Sequence, residues 1–450
     1  MPIMLYTIIE TMDLLTPIQR GQGGYLCPFG EHVIRPIAGN RLFLILFGLA
    51  FITLPSLPGD VDAVELRGNL FGELYSFKEQ DSTLLRPYAG LRSDLLLVHS
   101  GRRTLDLTSS LRWTNNLRSS RSTVGTTNIY DLYFHLGGIP AHSDLYLGRQ
   151  FVYNAAGSAV MDGARLRYQV TSAVNIEGLV GTSVNALNPT SIRSLSSYGV
   201  FGGRASWSDK SGTRVNLSWL DRLDGGHSAW NRAALDWDDR STLWQSYIRV
   251  AYDLVNSRIS ELLSRVSYSP AQWYLSAEIS RRAPSVSGTS LFIIIDSRQY
   301  RQVRLEARRT LWSDLALYAQ LHGTLYSGET IWRVVVGVRG IRYNIGWTHQ
   351  TGRDGDNNSV TGSLNFPLAT YLEGYAGFNA GRYRVQTEQE GRSDAYTSQL
   401  GFTWHGLSGY SATLEGQYQR NAVEKSAGQF YLRLSKDFTL GTKSAGVGRR

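Results

Sequence analysis

The sequence predicts an all-β fold, a transmembrane antiparallel β-barrel of roughly 18–22 strands, with 18–20 the preferred count. Three observations predict it. Segments with a period of two recur for most of the chain. Their polar faces carry many arginines, while their other faces are apolar. A short apolar run, too short to span a bilayer comfortably, precedes the first of them.

The alternation comes first. Within 302–308, Val303, Leu305 and Ala307 share one face, while Gln302, Arg304, Glu306 and Arg308 share the other. The same pattern recurs in 104–113, 214–219, 332–339, 341–348, 413–419 and 430–434. A period of two is the signature of a strand with unlike faces. A soluble sandwich of this size would need several cores, and some strands buried on both sides. A closed barrel in lipid needs the alternation everywhere and leaves no open edge.

Composition agrees. Of 450 residues, 46 are glycine, 25 tyrosine and 11 tryptophan, but only 12 are proline. Aromatics at that level suit strands and interfacial girdles. The mean hydropathy of -0.22 is compatible with a wall in which only alternate residues are apolar. The apolar-parity residues Trp219, Trp273, Trp332 and Trp347 read as lipid-facing or girdle positions, and Tyr318 and Tyr431 as inward ones.

The net charge of +9 is spread along strands and not gathered in a patch, which argues against nucleic-acid binding. Arg165, Arg167, Arg304, Arg308, Arg333, Arg339 and Arg342 are the candidate pore-lining residues, all assigned to the polar parity. Such a lumen attracts anions, except where Asp106, Glu278 or Glu415 neutralise neighbouring arginines.

The amino terminus divides into two expected parts. An apolar run at 42–54 follows Arg35 and Arg41, and the small residues Val61 and Ala63 suit a cleavage site. Residues 41–63 therefore read as a signal peptide. Residues 1–40 read as a disordered extension or a misassigned start, 64–438 as the barrel and 439–450 as a flexible tail. Cys27 is the single cysteine and lies ahead of the barrel, so no disulfide framework or thiolate cluster is expected there.

Candidate strands fall at 65–77, 86–98, 103–114, 127–137, 143–153, 163–170, 172–181, 197–208, 212–221, 228–237, 243–255 and 259–268. They continue at 272–282, 290–298, 300–309, 312–322, 331–339, 341–350, 358–367, 369–381, 395–405, 409–420 and 427–438. That exceeds the preferred count, so some are expected to merge. Tight connections are expected at 100–102, 209–212 and 339–341. Long polar ones are expected at 118–126, 187–197, 221–227, 283–290, 352–358 and 387–394. Long loops on one side and short turns on the other is the asymmetry of outer-membrane barrels.

No catalytic pattern stands out. His142, Ser143 and Asp144 are adjacent, and neighbouring strand residues point to opposite faces. Asp236, Asp238 and Asp239 near His227, and Asp354, Asp356, Asn357 and Asn358, read as ordinary surface carboxylates and turn formers. No cofactor and no metal is expected.

The most distinctive stretch is Gly148-Arg149-Gln150, then a small-residue segment, then Asp162-Gly163. It resembles the bacterial outer-membrane porin-like families, including alginate-export-like and uncharacterised porins, in which a Gly-Arg-Gln ends one strand and an Asp-Gly enters the next. The resemblance implies a passive or substrate-biased channel. It places Gly148, Arg149, Gln150, Asp162 and Gly163 near the pore wall as a rim or constriction motif, with the intervening residues folded inward or bracing the rim. Arg149 shares the parity of Leu145 and Leu147, so a bulge must turn it, or it snorkels at the interface.

The expected function is an outer-membrane porin-like channel for passive diffusion of small, anion-biased solutes in a Gram-negative-type bacterium, and not an enzyme. The alternative is a non-conducting structural or adhesion barrel, and more remotely an outer-membrane enzyme. Expected partners are outer-membrane lipid and lipopolysaccharide, periplasmic chaperones and the barrel-assembly machinery, small solutes, and two further copies if the barrel is a homotrimer; nucleic acid is not among them.

Overall fold

The structure is a computed structural model. It describes residues 64–441 except 80–81, 101–102, 115–125, 140–141, 186–188, 284–298, 353–354, 385–392 and 422–425. The expected leader and extension therefore lie outside the described residues, as does candidate strand 290–298.

Twenty-two strands form one sheet. The first eleven are β1 (Glu65–Glu79), β2 (Ser82–Ser100), β3 (Arg103–Thr114), β4 (Thr126–Ile139), β5 (Ser143–Asn154), β6 (Gly157–Gln169), β7 (Val174–Ser183), β8 (Gly199–Ser208), β9 (Arg214–Asp224), β10 (His227–Arg240) and β11 (Trp244–Asp253). Then come β12 (Arg258–Tyr268), β13 (Trp273–Arg282), β14 (Tyr300–Trp312), β15 (Leu315–Tyr326), β16 (Glu329–Gly340) and β17 (Tyr343–Thr351). The last are β18 (Asn357–Ala369), β19 (Leu372–Tyr383), β20 (Ser393–His405), β21 (Tyr410–Arg420) and β22 (Ala427–Gly441).

Each strand pairs antiparallel with its sequence neighbours, and β1 pairs with β22 to close the ring. The fold is a closed 22-stranded antiparallel β-barrel. The preferred count of 18–20 was too low. Every candidate segment other than 290–298 corresponds to one observed strand, and none merge. Most connections are short enough for all twenty-two strands to fit. The expected long loop at 221–227 is in fact a two-residue turn, Gly225-Gly226, between β9 and β10. Both glycines have positive φ, 62° and 86°, the pairing a tight hairpin turn requires.

The alternation holds around the ring. At the closing seam Glu73 faces Arg433 and Leu74 faces Leu432, so polar and apolar parities meet without inversion. The apolar parity is outward and exposed, with Leu217, Leu275, Ile345 and Leu400 among its members. Trp219, Trp273, Trp332 and Trp347 are all exposed on this face. Tyr318 and Tyr431 lie on the opposite, inward parity.

Connections after odd-numbered strands emerge at one end of the barrel and those after even-numbered strands at the other. The strand ends joined by residues 115–125, 184–198, 283–299 and 384–392, the longest connections, all lie at the first end. Trp207, Trp244, Trp273, Trp312 and Trp404 sit at the outward rim of the second, short-turn end. There Trp244 stacks on Tyr268 at 4.3 Å between centroids, as in an interfacial girdle. β22 continues past Phe438 to Gly441, pairing Leu440 with Leu66, so the wall extends into the segment expected as a tail.

Candidate functional site: an inward hairpin and a cationic wall

The β5–β6 hairpin leaves the wall. β4 pairs with β5 only as far as Leu132–Arg149, and β6 pairs with β7 only from Met161–Ser183. Between those points β5 and β6 pair with each other, from Gln150–Met161 to Asn154–Gly157. The Asn154 side chain closes the tip by accepting from the backbone N–H groups of Ala156 and Gly157.

The tip lies inside the barrel, because everything it meets is on the inward parity. Trp230 Nε1 donates to the Ala156 carbonyl at 3.1 Å. Arg222 Nη1 reaches the Ser158 carbonyl at 3.4 Å, and Arg249 Nη1 the Tyr153 hydroxyl at 3.4 Å. Val152, Ala156, Ala159 and Met161 pack against Leu179, Val200, Leu220, Ala234 and Ala251 as a dry cluster. Met161, Val200 and Leu220 are fully buried. Each Val, Leu or Met side chain buried here contributes about 1.5–3 kcal/mol, and each alanine less, which holds the hairpin against β7–β11.

The motif residues sit at the root of this hairpin. Gly148 has φ 128°, and a Cβ there would lie 2.3 Å from the Leu132 carbonyl oxygen. A Cβ on Gly163 would lie 2.2 Å from the Val180 oxygen. Only glycine lets the neighbouring strands approach this closely. Arg149 Nε and Nη2 bind Asp162 Oδ1 and Oδ2, both at 2.7 Å. Its Nη1 donates to the carbonyls of Pro189 at 2.5 Å and Ile129 at 3.4 Å. Arg149 keeps the parity of Leu147, directly opposite Leu132 and Asp162, with no bulge reversing it. It is 8% exposed, so it is an ion-paired, buried junction residue and does not snorkel. Gln150 is 1% exposed, and neither atom of its amide has a hydrogen-bond partner among the described residues.

Six of the seven candidate arginines lie on the inward parity. Arg165 lies over the Tyr146 ring at 4.1 Å, and Arg167 pairs with Glu177 at 3.2 Å. Arg304 pairs with Glu306 at 3.2 Å, and Arg308 lies over Tyr274 at 5.1 Å. Arg333 faces His322, and Arg339 faces Ala316 and Asn344. Among the described residues, Arg308, Arg333 and Arg339 make no ion pair. Arg342 is the exception: it lies in the turn between β16 and β17 and not on a strand. A period-two extrapolation through Ile341 missed this short break.

The expected neutralising carboxylates behave differently from one another. Glu278 takes Arg265 at 2.7 Å. Asp106 instead binds His135 Nδ1 at 2.8 Å, and Glu415 accepts from Tyr375 and Gln417. Arginine neutralisation also falls to Glu73, which meets Arg112 at 2.9 Å and Arg433 at 3.3 Å. Next along the ring from the β14 and β16 arginines, the inward faces of β17–β20 carry neutral groups such as Thr348, Ser359, Thr361, Asn379 and Gln399.

The residues that dock the hairpin, Leu179, Val200, Leu220 and Trp230, were not among the sequence candidates. Their signal was present as apolar residues on the polar parity: Leu179 stands two places from Glu177, and Leu220 two from Arg222. Asp236 and Asp239 fall on opposite faces of β10, the first binding Arg249 and the second Thr213. Among the described residues no group of three His, Cys, Asp or Glu side chains is placed to hold a metal ion.

No protein-family model and no curated protein matches the chain. Solved structures do. OccAB4 of Acinetobacter baumannii is 8% identical with a TM-score of 0.45, covering 85% of this chain and 100% of that one. The translocation pore of the P pilus usher PapC is 10% identical at 0.47, covering 84% and 100%. Pseudomonas aeruginosa OpdK with vanillate is 11% identical at 0.41, covering 83% and 99%. That the chain is a large antiparallel β-barrel rests on its own strand pairing. The likeness is one of fold, and no site residue is carried across from it.

Proposed function

We propose that this barrel spans an outer membrane and conducts small solutes by passive diffusion, with a bias toward anions. The observation that carries the reading is the pairing of a polar, arginine-bearing inward face with one hairpin folded inside it. A ring of 22 strands is wide, roughly 40 Å across the backbone if circular, and side chains alone do not fill such a space. The hairpin is pinned to one side of the ring, against β7–β11, which leaves the side lined by Arg308, Arg333 and Arg339 uncovered by it. The exposed apolar band and the aromatic rim support the bilayer placement. Selectivity then follows from aperture and field, with no covalent chemistry and no cofactor.

Purified protein inserted into planar bilayers tests this directly. Discrete conductance steps with a reversal potential of anion-selective sign in a salt gradient are expected. A folded, inserted barrel with no steps would replace this reading with that of a plugged structural or adhesive barrel.

A further inference from the structure

The outward face of β13 and β14 breaks its own pattern near the long-loop end. Arg281 and Arg301 stand directly opposite each other in the strand register. Both lie on the outward parity of Ile279 and Val303, next to the end of β13 and the start of β14. Their row continues into Leu262 on β12 and Leu325 on β15. Leu262, Ile279 and Leu325 are all exposed.

Like charges directly opposite on one face of a sheet destabilise it. Elsewhere on this parity the ladder sets charges against opposite or neutral partners. Arg149 faces Asp162, Arg382 faces Asp394, and Lys436 faces Leu70. Among the described residues neither Arg281 nor Arg301 meets a carboxylate. With its amide oxygen turned toward the guanidinium, Gln299 accepts from Arg281 Nη2 and Nε at 2.9 and 2.8 Å. Gln299 orients that cation without neutralising it.

We infer that Arg281 and Arg301 form a binding site for the phosphate of a membrane lipid, whose acyl chains lie along Leu262, Ile279 and Leu325. Two adjacent guanidiniums match a phosphate in charge and in the geometry of their donors. The pair sits within about two residues of the strand ends, or roughly 7 Å, which is headgroup level in a bilayer. Apolar side chains below it on the same face suit acyl chains. The inference rests on the proposed bilayer placement and not on conduction.

The test uses the full chain folded in zwitterionic detergent, titrated with diphosphorylated lipid A, with its dephosphorylated form, and with inorganic phosphate. Binding is read by native mass spectrometry and by the shift in thermal unfolding. The wild-type protein is expected to bind the phosphorylated lipid at least about tenfold more tightly than the dephosphorylated one. R281Q/R301Q should lose that preference, while R309Q, at the other rim, should keep it. Undiminished preference in the double variant overturns the site. Inorganic phosphate binding as tightly as the lipid also overturns it, in favour of a simple anion site. If the double variant does not fold, the wild-type comparison of phosphorylated with dephosphorylated lipid decides alone. Bilayer conductance of R281Q/R301Q should equal that of wild type, which separates failure of this site from failure of the channel reading.

Discussion

Arg149 and Asp162 are joined by two parallel 2.7 Å bonds at the point where the β5–β6 hairpin leaves the barrel wall. The same guanidinium also reaches the carbonyls of Ile129 and Pro189. One side chain thus ties together β4, the hairpin, and the connection between β7 and β8.

Replacing Asp162 with Ala strands a buried cation. Removing one partner of such a pair costs about 3 kcal/mol or more. The expected outcome is a hairpin root that opens more readily, seen as faster proteolysis within 150–160 and noisier single-channel current. Unchanged cleavage and current would show that the pair does not hold the hairpin.

Gly148→Ala should also loosen the root, because it forces a side chain into a φ of 128° and against the Leu132 oxygen. Strain of this kind costs of order 1–3 kcal/mol. A lowered unfolding temperature relative to wild type checks it, with Gly178→Ala as the control, since a Cβ there meets nothing within 4 Å.

Shortening the hairpin, by deleting 152–159 and joining the strands through a short turn, should raise single-channel conductance. The hairpin occupies lumen that would otherwise hold water. Unchanged conductance would place the narrowest passage elsewhere.

Changing Arg308, Arg333 and Arg339 together to Gln should move the reversal potential in a salt gradient toward zero without unfolding the wall. The effect should be largest near 0.01–0.1 M salt. At 1 M, where screening acts over about 3 Å, it should shrink. Unaltered ion selectivity at low salt would remove these three from the pore's field.

Asp209, in the turn between β8 and β9, accepts from the Ser211 hydroxyl and the Thr213 and Ser211 backbone N–H groups. Those bonds, the Ser211 side chain first, hold its pKa below the ordinary carboxylate value. A depressed folded-state pKa adds stability that is fully present above the unfolded value, near 4, and is lost as pH falls through the folded value. Asp209→Asn should therefore destabilise slightly at pH 7 and be neutral once pH falls below both values. Denaturation of the two proteins across that range is the check.

The alternation alone made the barrel, its inward and outward faces and nearly all of its strands legible. Lipid outside and water inside impose opposite demands on successive residues, and that requirement is written locally, as in Gln302 to Arg308. Four of the six expected long connections were legible for the same reason; those at 221–227 and 352–358 are shorter, because β10 begins at His227 and β18 at Asn357. The motif at 148–150 and 162–163 could be seen, but its arrangement could not, because Arg149 carries the outward parity and no local rule buries it. The hairpin's inward course depended on side chains far apart in sequence. Ala156 meets Trp230, and Met161 packs in one cluster with Leu220 and Ala251, through contacts that exist only once the ring has closed. Sequence by itself determined which face most strand residues take. Tertiary structure decided which of them meet, because burial inside the lumen is a property of the closed ring and not of any one strand.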